Sequence, residues 1–242
     1  MNVFNFVFLV AFPYVAVLVF VLGVAYRYRS RGFTISSLSS QFLEGRRLFW
    51  GSVPFHIGIL MVLLVHAIAI AFPGPMVSWA SNPVRLVGLE VTEYAFGMSV
   101  LVGLVALLYR RLTSPRIRAV TTVMDLVIGL LLVFQVGLGL WIALDYRWGY
   151  PWFAAVLAPY LRSLVQLSPE TSAVFALPLD IRLHVIGAFS IVFLVPFTRL
   201  AHFVVAPLHY IVRPYQQVIW NWDRRASRDP RTPWSRARPT NT

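Results

Sequence analysis

Residues 53–72 read VPFHIGILMVLLVHAIAIAF, twenty positions without an acid or an arginine. About 20 apolar residues in a helix span the hydrocarbon core of a bilayer. Inside that core the backbone must satisfy its own hydrogen bonds, so the stretch reads as a membrane helix. It carries two imidazoles, His56 and His66. An ionisable side chain in a membrane span is costly and points to function.

Four more apolar segments flank this one, at 4–26, 93–109, 121–144 and 183–206. Each is bounded by charge, Pro or Gly. Of the 242 residues, 58% are hydrophobic and 12% charged, against ~25% charged in ordinary soluble domains. That is too little charge to cover a soluble surface. The expected fold is an all-α membrane protein, a bundle of five transmembrane helices. The first segment does not read as a secretory signal. It lacks a basic leader, its apolar stretch is too long, and no small-residue cleavage site follows. It reads as a retained helix, with Pro13 expected to kink it.

The net charge is +12, and every basic residue is Arg. Residues 27–50 hold five Arg and one acid, and 110–118 hold four Arg and none. The intervening loops are nearly neutral. Eight Arg and two acids follow from Arg199 onward. This alternation places the N-terminus outside and the C-terminus in the cytoplasm. Topology explains the arginines better than nucleic-acid binding does, because the basic tail has little aromatic interleaving beyond Trp220, Trp222 and Trp234. Residues 1–212 form the membrane domain. Residues 213–242, rich in Arg and Pro, form a cytoplasmic tail that cannot bury a core. The external stretch 150–182 is expected to hold a short interfacial helix starting near Trp152.

There is no cysteine, which excludes thiolate-held iron–sulfur clusters and disulfides within the chain. Any redox metal must be held by His, Met or carboxylate. Of the five histidines, His56 and His66 lie on the second segment and His184 and His202 on the fifth. One such histidine could serve an interhelical hydrogen bond; four confined to two helices suggest haem ligation. A haem takes two imidazoles from different helices at similar depth. The second and fifth segments run in opposite directions, so depth matching pairs His66 with His184 and His56 with His202. Continuous helices would put His184 and His202 five turns, or ~27 Å, apart, and His56 and His66 only ~15 Å apart, leaving ~6 Å per pair for tilt to absorb. His209 follows Pro207 and is the weaker candidate. Arg182 and Arg199, each close before a histidine, suit haem propionates, or equally snorkel to the interface. Asp125, at the start of the fourth segment, reads as a cap or a partner of Arg118. Gly58, Gly97, Gly103, Gly129, Gly137, Gly139 and Gly187 suit close approach of helices or a porphyrin.

Several strings resemble one family. They are Phe55-His56-Ile57-Gly58-Ile59-Leu60 with His66, then Ser114-Pro115-Arg116-Ile117-Arg118-Ala119, then Arg182-Leu183-His184. The clearest is Pro196-Phe197-Thr198-Arg199-Leu200 with His202, Pro207 and Tyr210. With this spacing the chain resembles the gamma subunit of respiratory nitrate reductase, a membrane cytochrome b, over nearly its whole length. The resemblance implies two haem b groups: a distal one near the outer face on His66 and His184, and a proximal one on His56 and His202. It also implies a quinol pocket beside the distal haem. The implied partners are an iron–sulfur beta subunit and a molybdenum-containing alpha subunit on the cytoplasmic face of a prokaryotic plasma membrane. Quinol would be oxidised near the outer face, and electrons would pass inward from the distal to the proximal haem. Two positions depart from the family pattern. Val65 stands where relatives carry Gly before the second ligand, and Arg85 is the only basic residue in the loop where they carry Lys. The tail is also longer than usual. Other readings are a di-haem cytochrome b of a sulfur or heterodisulfide complex, a haemless transporter with a histidine proton relay, and a passive membrane anchor.

Overall fold

The computed structural model describes residues 3–31, 45–146 and 153–204. The tail 213–242, His209 and Trp152 lie outside the described residues. Those described are all helix, turn or short connection, with no strand among them. Among the described residues, five helices are long and apolar enough to cross a membrane.

The first, α1, joins Val3–Phe6, a π turn at Val7–Ala11 and Phe12–Arg31. The π turn ends two residues before Pro13. Proline has no N–H to offer the carbonyl four residues back, that of Leu9. The buried Tyr160 hydroxyl donates to the Leu9 carbonyl at 2.6 Å. Thus the irregularity around Pro13 is met by a bond from a distant segment, as buried backbone groups require.

The second span, α2, is Arg46–Ala71 with Pro54 inside it. The third, α3, is Pro83–Thr113, longer than the 93–109 expected from apolarity alone. Its start is set by Asn82, whose side chain accepts from the Val84 and Arg85 amides, and by Pro83 at the first helical position. The stretch before it, Pro73–Ala80, is a short helix and not a loop. The fourth span, α4, is Val123–Asp145, opened by a capping box of Thr122 and Asp125. The segment Phe153–Leu157 and the helix Ala158–Val165 supply the short helix expected near Trp152.

The fifth span, α5, corrects the expected 183–206. It is α-helical only over Leu179–Leu194. A 3-10 turn follows at Val195–Phe197, then extended backbone at Thr198, then a second 3-10 turn at Arg199–Phe203. Pro196 cannot continue the ladder of amides, and the Thr198 hydroxyl accepts from the Leu200 amide to open the new turn. The helical ruler that put His202 five turns beyond His184 therefore stops applying at Leu194.

Close packing runs α2 on α3, α3 on α4, α4 on α5 and α5 back on α1. The histidine-bearing α2 and α5 are not among these close pairs; α3 and α4 join them. Large apolar side chains such as Leu22, Leu60, Val102, Leu130 and Trp141 are exposed on the outer faces, as suits lipid and not water. The tightest seam is between α2 and α3. A Cβ added at Gly103 would lie 2.7 Å from both the Gly51 carbonyl oxygen and the Phe55 amide nitrogen. Backbone cannot swing aside, so Gly103→Ala must part the two helices. The expected cost is about 1–3 kcal/mol, read as a lower thermal unfolding midpoint in detergent. An unchanged midpoint would mean the seam yields freely.

Candidate functional site

Local structure at the basic end, where Arg27, Arg111 and Arg199 gather, sets the first pair of histidines. The break in α5 leaves the Pro196 and Thr198 carbonyls without helical partners. Arg27 of α1 donates to both from Nη1, at 3.0 and 2.9 Å. Arg199 then opens the turn that carries His202. Its guanidinium, expected at a propionate, is shared within the chain: Nε lies 3.0 Å from Asp125 Oδ1, and Nη2 donates to the Val120 carbonyl at 2.9 Å. Asp125 is a cap as expected. Its ion-pair partners are Arg111 and Arg199, not the Arg118 nearer to it in sequence, because the end of α3 and the broken end of α5 both reach it.

His202 Nδ1 lies 2.8 Å from the Arg199 carbonyl oxygen, and His56 Nδ1 lies 2.7 Å from that of Ser52. A carbonyl only accepts, so in each ring Nδ1 carries the proton and Nε2 keeps its lone pair. That tautomer is the one a metal-binding imidazole needs, with its other nitrogen oriented by a backbone carbonyl. The two ring centroids lie 6.4 Å apart, with planes at 65°. Two imidazoles bound through nitrogen at about 2 Å to one metal ion, each with about 1.1 Å more to its ring centre, would have centres about 6.2 Å apart. The pair is therefore spaced to hold one such group between them. Among the described residues no three His, Asp or Glu side chains converge. The donor set here is two imidazoles, an axial set and not a tetrahedral one.

At the opposite end, His66 Nδ1 lies 2.8 Å from the Val62 carbonyl oxygen, which fixes the same tautomer. The His184 ring packs against α4 at Gly139, where a Cβ would come within 2.9 Å of His184 Cε1. Gln135 of α4 donates to the His184 carbonyl at 2.9 Å. Arg182 donates to Asn5 Oδ1 at 2.7 Å, and its Nε is buried without a hydrogen-bond partner. An orphaned guanidinium N–H two residues from His184 suits a carboxylate of a bound group. The Phe153 ring stands 5.2 Å from that of His66. Ala69, Met76 and Ala154 form a buried cluster around which Val65, Leu89 and Phe153 pack, so an apolar cover lies beside His66.

Sequence reasoning passed over Arg27, Glu93, Gln135 and Asn5. Glu93 is a carboxylate within α3, its Oε2 3.9 Å from His66 Nδ1 and its Oε1 buried without a partner. Glu93, Gln135 and Asn5 could have been found by the rule that picked out the histidines, since each is a polar group in an apolar span.

The chain matches the family described as nitrate reductase gamma subunit over residues 5–221. It is 31% identical over 217 residues to the nitrate reductase gamma chain of Bacillus subtilis (strain 168), covering 84% of this chain and 92% of that one. It is 33% identical over 222 residues to the respiratory nitrate reductase 1 gamma chain of Escherichia coli (strain K12), covering 90% and 98%. To the respiratory nitrate reductase 2 gamma chain of the same strain it is 34% identical over 212 residues, covering 86% and 93%.

Proposed function

The chain belongs to the nitrate reductase gamma subunit family, and from that premise we propose that it is the membrane cytochrome b of a nitrate reductase. It oxidises quinol and delivers the electrons to an iron–sulfur beta subunit and a molybdenum-containing alpha subunit. His66 and His184 would hold one haem b, and His56 and His202 the other. The observation that carries this reading is the spacing of the His56 and His202 rings, 6.4 Å, with both Nε2 atoms left as acceptors.

When bound, the two groups supply one-electron acceptors in series along the bundle. The chain orients His56, His66 and His202 through backbone carbonyls, seats His184 against Gly139, and excludes water with its apolar spans. Arg182 offers its buried Nε to a propionate. A quinol is held beside His66 under the cover of Phe153, Met76 and Ala154, and its two protons leave on that side. The basic end faces the cytoplasm of a prokaryotic cell and the N-terminus lies outside, as the distribution of arginine supports. The partner subunits dock at the basic end, and the chain sits in the plasma membrane.

The test is the pyridine haemochrome of the purified full chain, with two haems per chain expected. No haem in a correctly inserted chain would leave the transporter or anchor reading. Reduction by a menaquinol analogue is expected to disappear in His66→Ala, and its persistence would remove the quinol from this end. A co-purified molybdenum subunit supports nitrate as acceptor, whereas a partner bearing only iron and sulfur supports the sulfur or heterodisulfide reading.

A further inference from the structure

Asp125 is buried at the start of α4. Its carboxylate meets three donors: the Thr122 amide at 3.0 Å, Arg111 Nη1 at 2.8 Å and Arg199 Nε at 3.0 Å. The first two bonds serve α4 and α3. The third reaches the short 3-10 turn Arg199–Phe203, which opens on the Thr198 hydroxyl and the Arg27-held Thr198 carbonyl and has no α-helix continuing into it from α5. The Val120 carbonyl takes Nη2 of the same guanidinium, so the plane of Arg199 is held at two points by the segment 120–125. The Arg199 carbonyl in turn receives His202 Nδ1 at 2.8 Å. One unbroken series of contacts therefore runs from Asp125 through the side chain and backbone of Arg199 to the imidazole of His202.

We infer that Asp125 is a positioning residue for His202: it anchors Arg199, whose carbonyl sets the tautomer and the aim of the imidazole facing His56. A one-turn 3-10 segment has little rigidity of its own. Without the anchor the turn rotates and Nε2 moves off the axis toward His56. Ligand geometry must hold to about 0.5 Å, and loss of a partner behind a metal ligand typically costs about 10–100-fold in affinity. This inference rests on reading His56 and His202 as an axial pair.

The experiment compares the two low-spin haem signals of the purified full chain by electron paramagnetic resonance and by haem titration. His202→Ala identifies one signal and His66→Ala the other. In Asp125→Ala the signal assigned by His202→Ala is expected to shift and its haem to bind about 10–100-fold more weakly, with the other signal unchanged. Asp125→Asn keeps an oxygen for Arg199 Nε, so its effect is expected to be smaller. Arg111→Gln removes a partner of the same carboxylate outside the path to His202, and is expected to leave both signals in place. Where Asp125→Ala fails to accumulate, Arg199→Lys gives the reading: it keeps the charge but loses the fork, and the same single signal is expected to shift. An unchanged signal in these variants, or an equal loss of both signals, would overturn the inference in favour of a general stabilising cap. A wild-type chain without haem would instead overturn the function proposed above.

Discussion

His202→Ala is expected to lower the haem content from two per chain to one and to erase a single low-spin signal. The argument is one of donors. In the wild-type chain the His202 and His56 ring centroids lie 6.4 Å apart, with Nδ1 of each ring held by a carbonyl. Alanine would remove one of the two proposed imidazole ligands, and among the described residues no third His, Asp or Glu is gathered there to replace it. His56→Ala is expected to erase the same signal, because on the proposed pairing the two histidines serve one group. The double variant should then cost no more than either single one, as coupled residues behave. Haem titration and absorption spectra of the purified variants check this. Retention of both signals in His202→Ala, or loss of different signals in the two variants, would break the pairing.

The second large effect is expected at a residue with no side chain. Gly139→Val should displace His184 and empty the site at the other end of the bundle. A Cβ there would stand 2.9 Å from His184 Cε1, and valine adds two methyl groups beyond it. The imidazole cannot retreat with its backbone, because Gln135 on the same helix as Gly139 holds the His184 carbonyl. Contrast Gly129, where the added Cβ would meet Leu108 Cδ2 at 2.8 Å, the far end of a flexible side chain. Gly129→Ala is expected to keep both haems. Gly139→Val is expected to keep the signal assigned to His56 and His202 and to lose the other, together with reduction by a quinol analogue. Full haem content in Gly139→Val would show that α4 and α5 separate at little cost.

The spans and the four histidines were legible because both follow from one rule, the price of polarity inside a bilayer. Five apolar runs gave five helices, and the imidazoles stood out as exceptions to apolarity. The end of α5 was not legible in the same way. Hydropathy stays high from 183 to 206, and it is blind to the backbone change that Pro196 and Thr198 impose. Helix arithmetic carried through that point produced a mismatch of ~6 Å per histidine pair, a real conflict that arose from assuming a straight helix. Asp125 failed for a different reason. Proximity in sequence favoured Arg118, while the fold brings Arg111 and Arg199 to the carboxylate from separate helices. The start of α3 was readable from Asn82 and Pro83, but a search by apolarity began ten residues late.

Arg27 reaches the Pro196 and Thr198 carbonyls across 169 and 171 residues of chain. α1 precedes α5 in the chain, so the donor is made before the carbonyls it serves. Those two carbonyls stay without Arg27 until α1 and α5 meet in the lipid. On the proposed ligation, cofactor capture at that end would follow the meeting of α1 and α5 and not the insertion of any single span.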